Sequence, residues 1–162
     1  MGTKVKAQLP ANVSDVFAVL TDAAFLEART AGIGQANAKA DVAVEQSDTG
    51  AVITKTVTVE LENLPGFLKK AFDPKQVVQV REEWHAAEAG YKGEYEIHIE
   101  GQPVLVRGVF TLAPDGAACT YEVMLDCKAK IPLIGGQVSK FVLGQYVQGA
   151  KDELAYTQKH FA

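Results

Sequence analysis

The stretch IPLIGGQVSKFVLGQYVQGA, residues 131–150, decides how the rest of the chain is read. It opens a long helix expected from about residue 134 to 160, yet it holds four glycines, at positions 135, 136, 144 and 149. Each glycine inside a helix costs roughly 1 kcal/mol relative to alanine. Gly135 and Gly136 follow Pro132, where the chain must turn sharply out of its last strand, so local backbone geometry accounts for that pair. With Val138 as reference and about 100° per residue, Val142, Gln145, Tyr146, Gly149, Glu153 and Tyr156 fall in one broad stripe. A helix packed tightly on a sheet presents Leu, Ile and Ala there. This stripe instead mixes apolar residues with rings, an amide, a carboxylate and a glycine. Gly149 lies on the stripe, where it leaves volume for a ligand or permits close helix–sheet contact; Gly144 lies off it.

Ahead of the helix the period is two. YKGEYEIHIEG (91–101) sets Gly93, Tyr95, Ile97 and Ile99 on one face and Lys92, Glu94, Glu96 and His98 on the other. PVLVRGVFTL (103–112) puts Val104, Val106, Gly108, Phe110 and Leu112 in one phase, and residues 119–129 repeat the pattern with Cys119, Tyr121, Val123, Leu125 and Cys127. QVVQVREEW (76–84), the β-branched run 51–62 and ANAKADVAVEQ (36–46) read as further strands, separated by turns at SDTG and EAGY. Such alternation describes an antiparallel sheet with one wet and one covered face. Residues 3–9 form a short strand closed by Pro10. Asn12 with Asp15 three residues on then resembles a capping box, opening a helix with Val13, Val16, Phe17 and Leu20 on one face. Thr21 or Asp22 is placed to cap a second short helix, AAFLEARTA, ended by Gly32 and Gly34.

The totals agree with one globular unit. The 162 residues suit a single domain spanning 1–162, with 48% hydrophobic and 22% charged residues and no repeat or linker. A formal charge of −4 gives no global reason to expect nucleic acid. The first residues lack the apolar run of a signal peptide, and no stretch approaches the roughly 18 apolar residues of a membrane span, so the expected address is the cytoplasm. The two cysteines, Cys119 and Cys127, lie about 26 Å apart if one strand carries both, at ~3.3 Å per residue, too far to bridge. They read as free, buried thiols of a reducing compartment. No metal-ligand spacing and no cofactor motif is present.

Two passages, LPANVSDVFAVLTDAAFLEA (9–28) and CKAKIPLIGGQVSKFV (127–142), resemble the START-like helix-grip superfamily of polyketide cyclase/dehydrase and lipid-transport relatives. Within it they are similar to a bacterial subfamily of unknown function. The resemblance runs over nearly the whole chain in element order. It implies an α+β fold in which a curved antiparallel sheet of about seven strands wraps a long C-terminal helix, with two short helices after the first strand. It also implies an elongated cavity between sheet and helix for a small hydrophobic molecule such as a lipid, sterol, quinone or polyketide. These passages are structural, and neither is a catalytic signature.

On the covered face, Val80, Ile97, Val106, Phe110 and Val123 are the apolar residues expected to meet such a ligand, with Phe141, Val142 and Gly149 opposite them on the helix. Tyr95, Tyr121 and Trp84 each carry a donor that orients a ligand's polar end, or else forms an amphipathic rim or bonds another side chain; for Trp84, near a strand end, the rim or side-chain bond is the simpler reading. Glu82 shares the phase of Val78, Val80 and Trp84. It is either a cavity base or anchor, or a residue displaced at a bulge or paired with Arg81, Arg107 or a rim lysine, and Glu153 poses the same choice. Gln145 is the better anchor, because an amide tolerates a dry site when both its groups are bonded. His98 alternates to the wet face, His85 adjoins Trp84 and His160 ends the helix, so no nucleophile–histidine pairing assembles. Phe67, Leu68 and Phe72 beside Lys69 and Lys70 form a lid with transient membrane contact, or a cap on the core edge. Three functions follow: a carrier or sensor of a hydrophobic molecule, a cyclase- or dehydratase-type enzyme using a cavity carboxylate, and a protein-interaction module with a filled core. The absence of an acid/base pair favours the first.

Overall fold

A computed structural model describes residues 2–33, 38–61, 64–70 and 72–162. β1 (Thr3–Leu9) leads into α1 (Val13–Leu20) and α2 (Ala23–Gly32). Six strands follow: β2 (Lys39–Ser47), β3 (Gly50–Glu60), β4 (Lys75–Ala87), β5 (Gly90–Ile99), β6 (Val104–Asp115) and β7 (Ala118–Ala129). The one-turn helix α3 (Gly66–Lys69) interrupts them between β3 and β4, and α4 (Gly135–Phe161) closes the chain. The strands form one seven-stranded antiparallel sheet in the order β1-β7-β6-β5-β4-β3-β2. Every neighbouring pair except β1–β7 is consecutive in the chain, so alternation within each strand carries straight into one continuous inner face.

The local signals act largely as expected. The Asn12 side chain caps α1, accepting from the Asp15 backbone N–H at 2.9 Å. Thr21 closes α1 rather than opening α2, its hydroxyl donating to the Phe17 carbonyl at 2.7 Å; Asp22 holds the N-cap position of α2 without a side-chain bond. Gly34, the second glycine expected to end α2, lies outside the described residues. The turn into α4 is divided differently from the expectation. The left-handed residue there is Leu133, at φ 70° and fully exposed, not a glycine. Gly135 serves close approach instead: a Cβ there would meet the Ala129 carbonyl oxygen at 2.7 Å.

The helix α4 packs on β7, β1 and α2. Val138 and Val142 near its start, and Leu154 and Thr157 near its end, are buried. The segment between them faces a space over β3, β4 and β5. This explains the mixed stripe: its two ends are core and its middle borders a cavity. Leu68 and Phe72 are buried in the core, and Phe67 alone of the three expected lid residues is exposed. The segment around α3 thus packs two of its three apolar side chains on the edge of the core. No described helix is long and apolar enough to cross a membrane.

Candidate functional site: a cavity between sheet and helix

The space between α4 and the inner sheet is a cavity of about 310 Å³, at the lower end of the roughly 300–1,000 Å³ typical of small-molecule sites. Its sheet wall is apolar where β3 and β4 supply Val57, Val59, Val78 and Val80, with Ile97 of β5 and Val123 of β7 continuing it. The middle of α4 supplies Gln145, Tyr146, Gly149 and Glu153. A Cβ built on Gly149 meets nothing within 4 Å, so this glycine borders open space rather than a close helix–sheet contact.

Glu82, Trp84, Tyr95 and Tyr121 gather at one pole of the cavity. Glu82 is 9% exposed and faces inward on an unbroken β4–β5 register, directly opposite Tyr95. There is no bulge, and Arg81 and Arg107 pair with Glu83 and Glu96 on the other face. What holds the carboxylate is the next inward residue: Trp84 Nε1 donates to Glu82 Oε2 at 2.9 Å. Trp84 is accordingly buried, not a rim residue. Tyr95 is packed onto Gly108, its direct partner on β6, where any side chain would collide with its ring. Among the described residues, no group bonds the hydroxyls of Tyr95, Tyr121 or Tyr146. Burial holds all three phenols well above their ordinary pKa, and the negative charges of Glu82 and Glu153 push Tyr95 and Tyr121 further the same way. They are protonated hydroxyls throughout the physiological range.

Arg29 of α2 was missed by sequence reasoning. Its side chain is nearly buried, donating from Nη2 to Glu153 Oε2 at 2.6 Å and from Nη1 to Thr157 Oγ1 at 3.3 Å. Glu153 is therefore paired, with a cation on a helix distant in sequence. The signal available was the spacing of Leu26 and Arg29, which puts the arginine on the buried side of α2. Lys55 is a second residue of the wall that the sequence reading did not single out, although it shares the inward phase of Ile53, Val57 and Val59.

Other expected residues fall elsewhere. Val106 and Phe110 are fully buried and do not line the cavity; the Phe110 ring packs against Trp84 at 4.6 Å and Tyr121 at 5.7 Å, flooring the pole. Phe141 and Val142 border a smaller recess of about 60 Å³ with Phe72. Gln145 reaches the rims of both spaces and is exposed, so it is not an amide in a dry site. Both cysteines are free and buried; burial pushes the Cys127 thiol up to about 11, which leaves it unreactive near neutrality.

A sheet wrapped on a long C-terminal helix, with a cavity between them, is the helix-grip architecture of START-like proteins. Within that class the chain belongs to the family described as "Protein of unknown function (DUF2505)", which matches residues 4–160. No curated protein matches it in sequence. Among solved structures it is similar to TTHA0849 of Thermus thermophilus, with a TM-score of 0.67 at 14% identity, over 98% of this chain and 95% of that one. A START superfamily protein of Mycobacterium smegmatis gives 0.58 at 14% identity over 99% and 96%. Ara h 8.0201 gives 0.56 at 16% identity over 98% of each chain. At these identities the likeness concerns the fold.

Proposed function

We propose that this protein binds a small, mainly apolar molecule between the sheet and α4, as a carrier or sensor. The observation that carries the reading is the middle of α4: Gly149, Tyr146 and Glu153 border open space where a packed helix would present large aliphatic side chains. Apolar burial against Val57, Val59, Val78 and Val80 supplies the affinity, at about 25 cal/mol per Å² removed from water. Glu82 stands beside two protonated phenols, which supports a second reading, proton abstraction by Glu82 with a tyrosine stabilising the oxyanion. The carrier reading is preferred because Glu153 of α4 is paired with Arg29 and forms no acid/base pair with Glu82. A module with a filled core does not fit a cavity of about 310 Å³.

The two mid-helix glycines of α4 test the reading. Both have open space at Cβ, so Gly144→Ala and Gly149→Ala are each expected to stabilise the fold by about 1 kcal/mol in denaturant titration. Gly149→Phe fills the cavity. It is expected to weaken saturable binding of the neutral probe N-phenyl-1-naphthylamine by about tenfold or more, whereas Gly144→Ala leaves it unchanged. Equal binding by wild type and Gly149→Phe would place the probe outside the cavity and defeat the reading.

A further inference from the structure

The polar pole constrains the head group of the ligand, an inference that rests on the binding reading above. Arg29 and Glu153 satisfy each other's charge at 2.6 Å. Arg29 lines the cavity, but its Nη1 and Nη2 are engaged by Thr157 and Glu153, and its Nε, buried, has no partner among the described residues. Of the two carboxylates whose charge reaches the phenols, Glu153 is thus paired and Glu82 has no cationic partner among the described residues; Trp84 engages only its Oε2. Its Oε1 bonds no described residue. The Tyr95 and Tyr121 hydroxyls, on the wall of the same cavity, are likewise unengaged among the described residues, and each both donates and accepts.

We propose that the ligand carries a hydrogen-bond-donating head, a hydroxyl or an ammonium, seated on Glu82 Oε1 and the two tyrosine hydroxyls, and that carboxylate-headed chains are rejected. A donor head completes the acceptor left open on a buried carboxylate. A carboxylate head places a second negative charge beside Glu82 in a site where little water screens it. The phenols bring no positive charge to offset this, and Arg29, which lines the same cavity, is already paired with Glu153. Lys55, the other cation of the wall, is set opposite Val42 and Val80 and not opposite a residue of the phenol pair.

Trp84 is the single tryptophan of the chain, and its indole bonds Glu82, so its fluorescence reads occupancy of the pole directly. The full chain is titrated near neutral pH with decan-1-ol, decan-1-amine and decanoate, each below its micellar concentration. Decan-1-ol and decan-1-amine are expected to bind about tenfold or more tightly than decanoate, the amount one buried like-charge contact produces. In Glu82→Gln, which keeps an oxygen for the Trp84 N–H, the alcohol is expected to bind within about threefold of wild type, while the amine weakens and decanoate gains about tenfold. Tyr121→Phe serves as the second variant, leaving Glu82 intact and weakening the alcohol without admitting decanoate. Decanoate binding as tightly as the alcohol, whether at the pole or at Lys55, overturns the head-group assignment and leaves the cavity reading standing. A ratio unmoved by Glu82→Gln, in a variant that melts like wild type, overturns the assignment in the same way. Failure of all three chains to saturate the signal, together with loss of naphthylamine binding, overturns the cavity reading itself.

Discussion

Phe110→Ala is expected to destabilise the fold by about 4 kcal/mol, within the roughly 3–5 kcal/mol range for deleting a buried phenylalanine. The ring is 1% exposed and lies at the centre of an aromatic layer, with Trp84 4.6 Å, Tyr121 5.7 Å and Tyr95 6.2 Å away between centroids. Its removal leaves a void directly beneath the polar pole, and rigid strands on either side prevent collapse. The loss is therefore a transfer cost plus a cavity cost, to be measured by urea titration. The adjacent Val109 points outward at 61% exposure, and Val109→Ala is expected to change stability by less than about 0.5 kcal/mol. Comparable losses at the two positions would contradict the assignment of Phe110 as the floor of the site.

The second large effect is expected at Gly93, which faces inward on β5 directly opposite Trp84. A Cβ at this position falls well inside contact distance of the Glu83 carbonyl oxygen and of the Phe110 ring. The first of these is backbone in the middle of a paired strand and cannot rotate aside. Gly93→Ala is thus expected to cost about 3 kcal/mol, at the upper end of ordinary overpacking, and to disturb the near-ultraviolet signal of Trp84. A loss under about 1 kcal/mol would mean that β4 and β5 separate easily there. The glycine is required by this close approach, since its neighbours Trp84 and Phe110 fill the space that a side chain would need.

These two residues mark what was legible in the sequence. Alternation placed Gly93, Tyr95, Phe110, Tyr121 and Glu82 on the inner face, because a period of two allows only two faces. It did not give depth. Phe110 and Val106 share a face with Tyr95 and Ile97, yet they lie behind the cavity wall, because the Tyr95 ring lies over Gly108 between them and the Trp84 and Tyr121 rings pack on Phe110. Nor did it give partners distant in sequence. Glu153 pairs with Arg29 across 124 positions, and no local pattern encodes that meeting. Glu82 illustrates the reverse case. Its partner Trp84 is two residues away on the same strand face, so the pair was visible, but carboxylates more often meet cations, and the indole N–H is a less expected donor. The turn after Pro132 gives the corner before α4 to Gly135 and Gly136 on local backbone geometry, while the left-handed position falls to the exposed Leu133, which no propensity rule selects.

The central claim is that the space beside Gly149 holds a small molecule, and one measurement tests it most directly. Delipidated wild-type protein and Gly149→Phe are incubated with a total lipid extract, repurified under native conditions, and extracted with denaturant for mass spectrometry. The expected result is a stoichiometric, mainly apolar compound with a hydroxyl or amine head on the wild type, and none on the folded variant. Equal loading of both proteins, or no compound on either, would contradict the account.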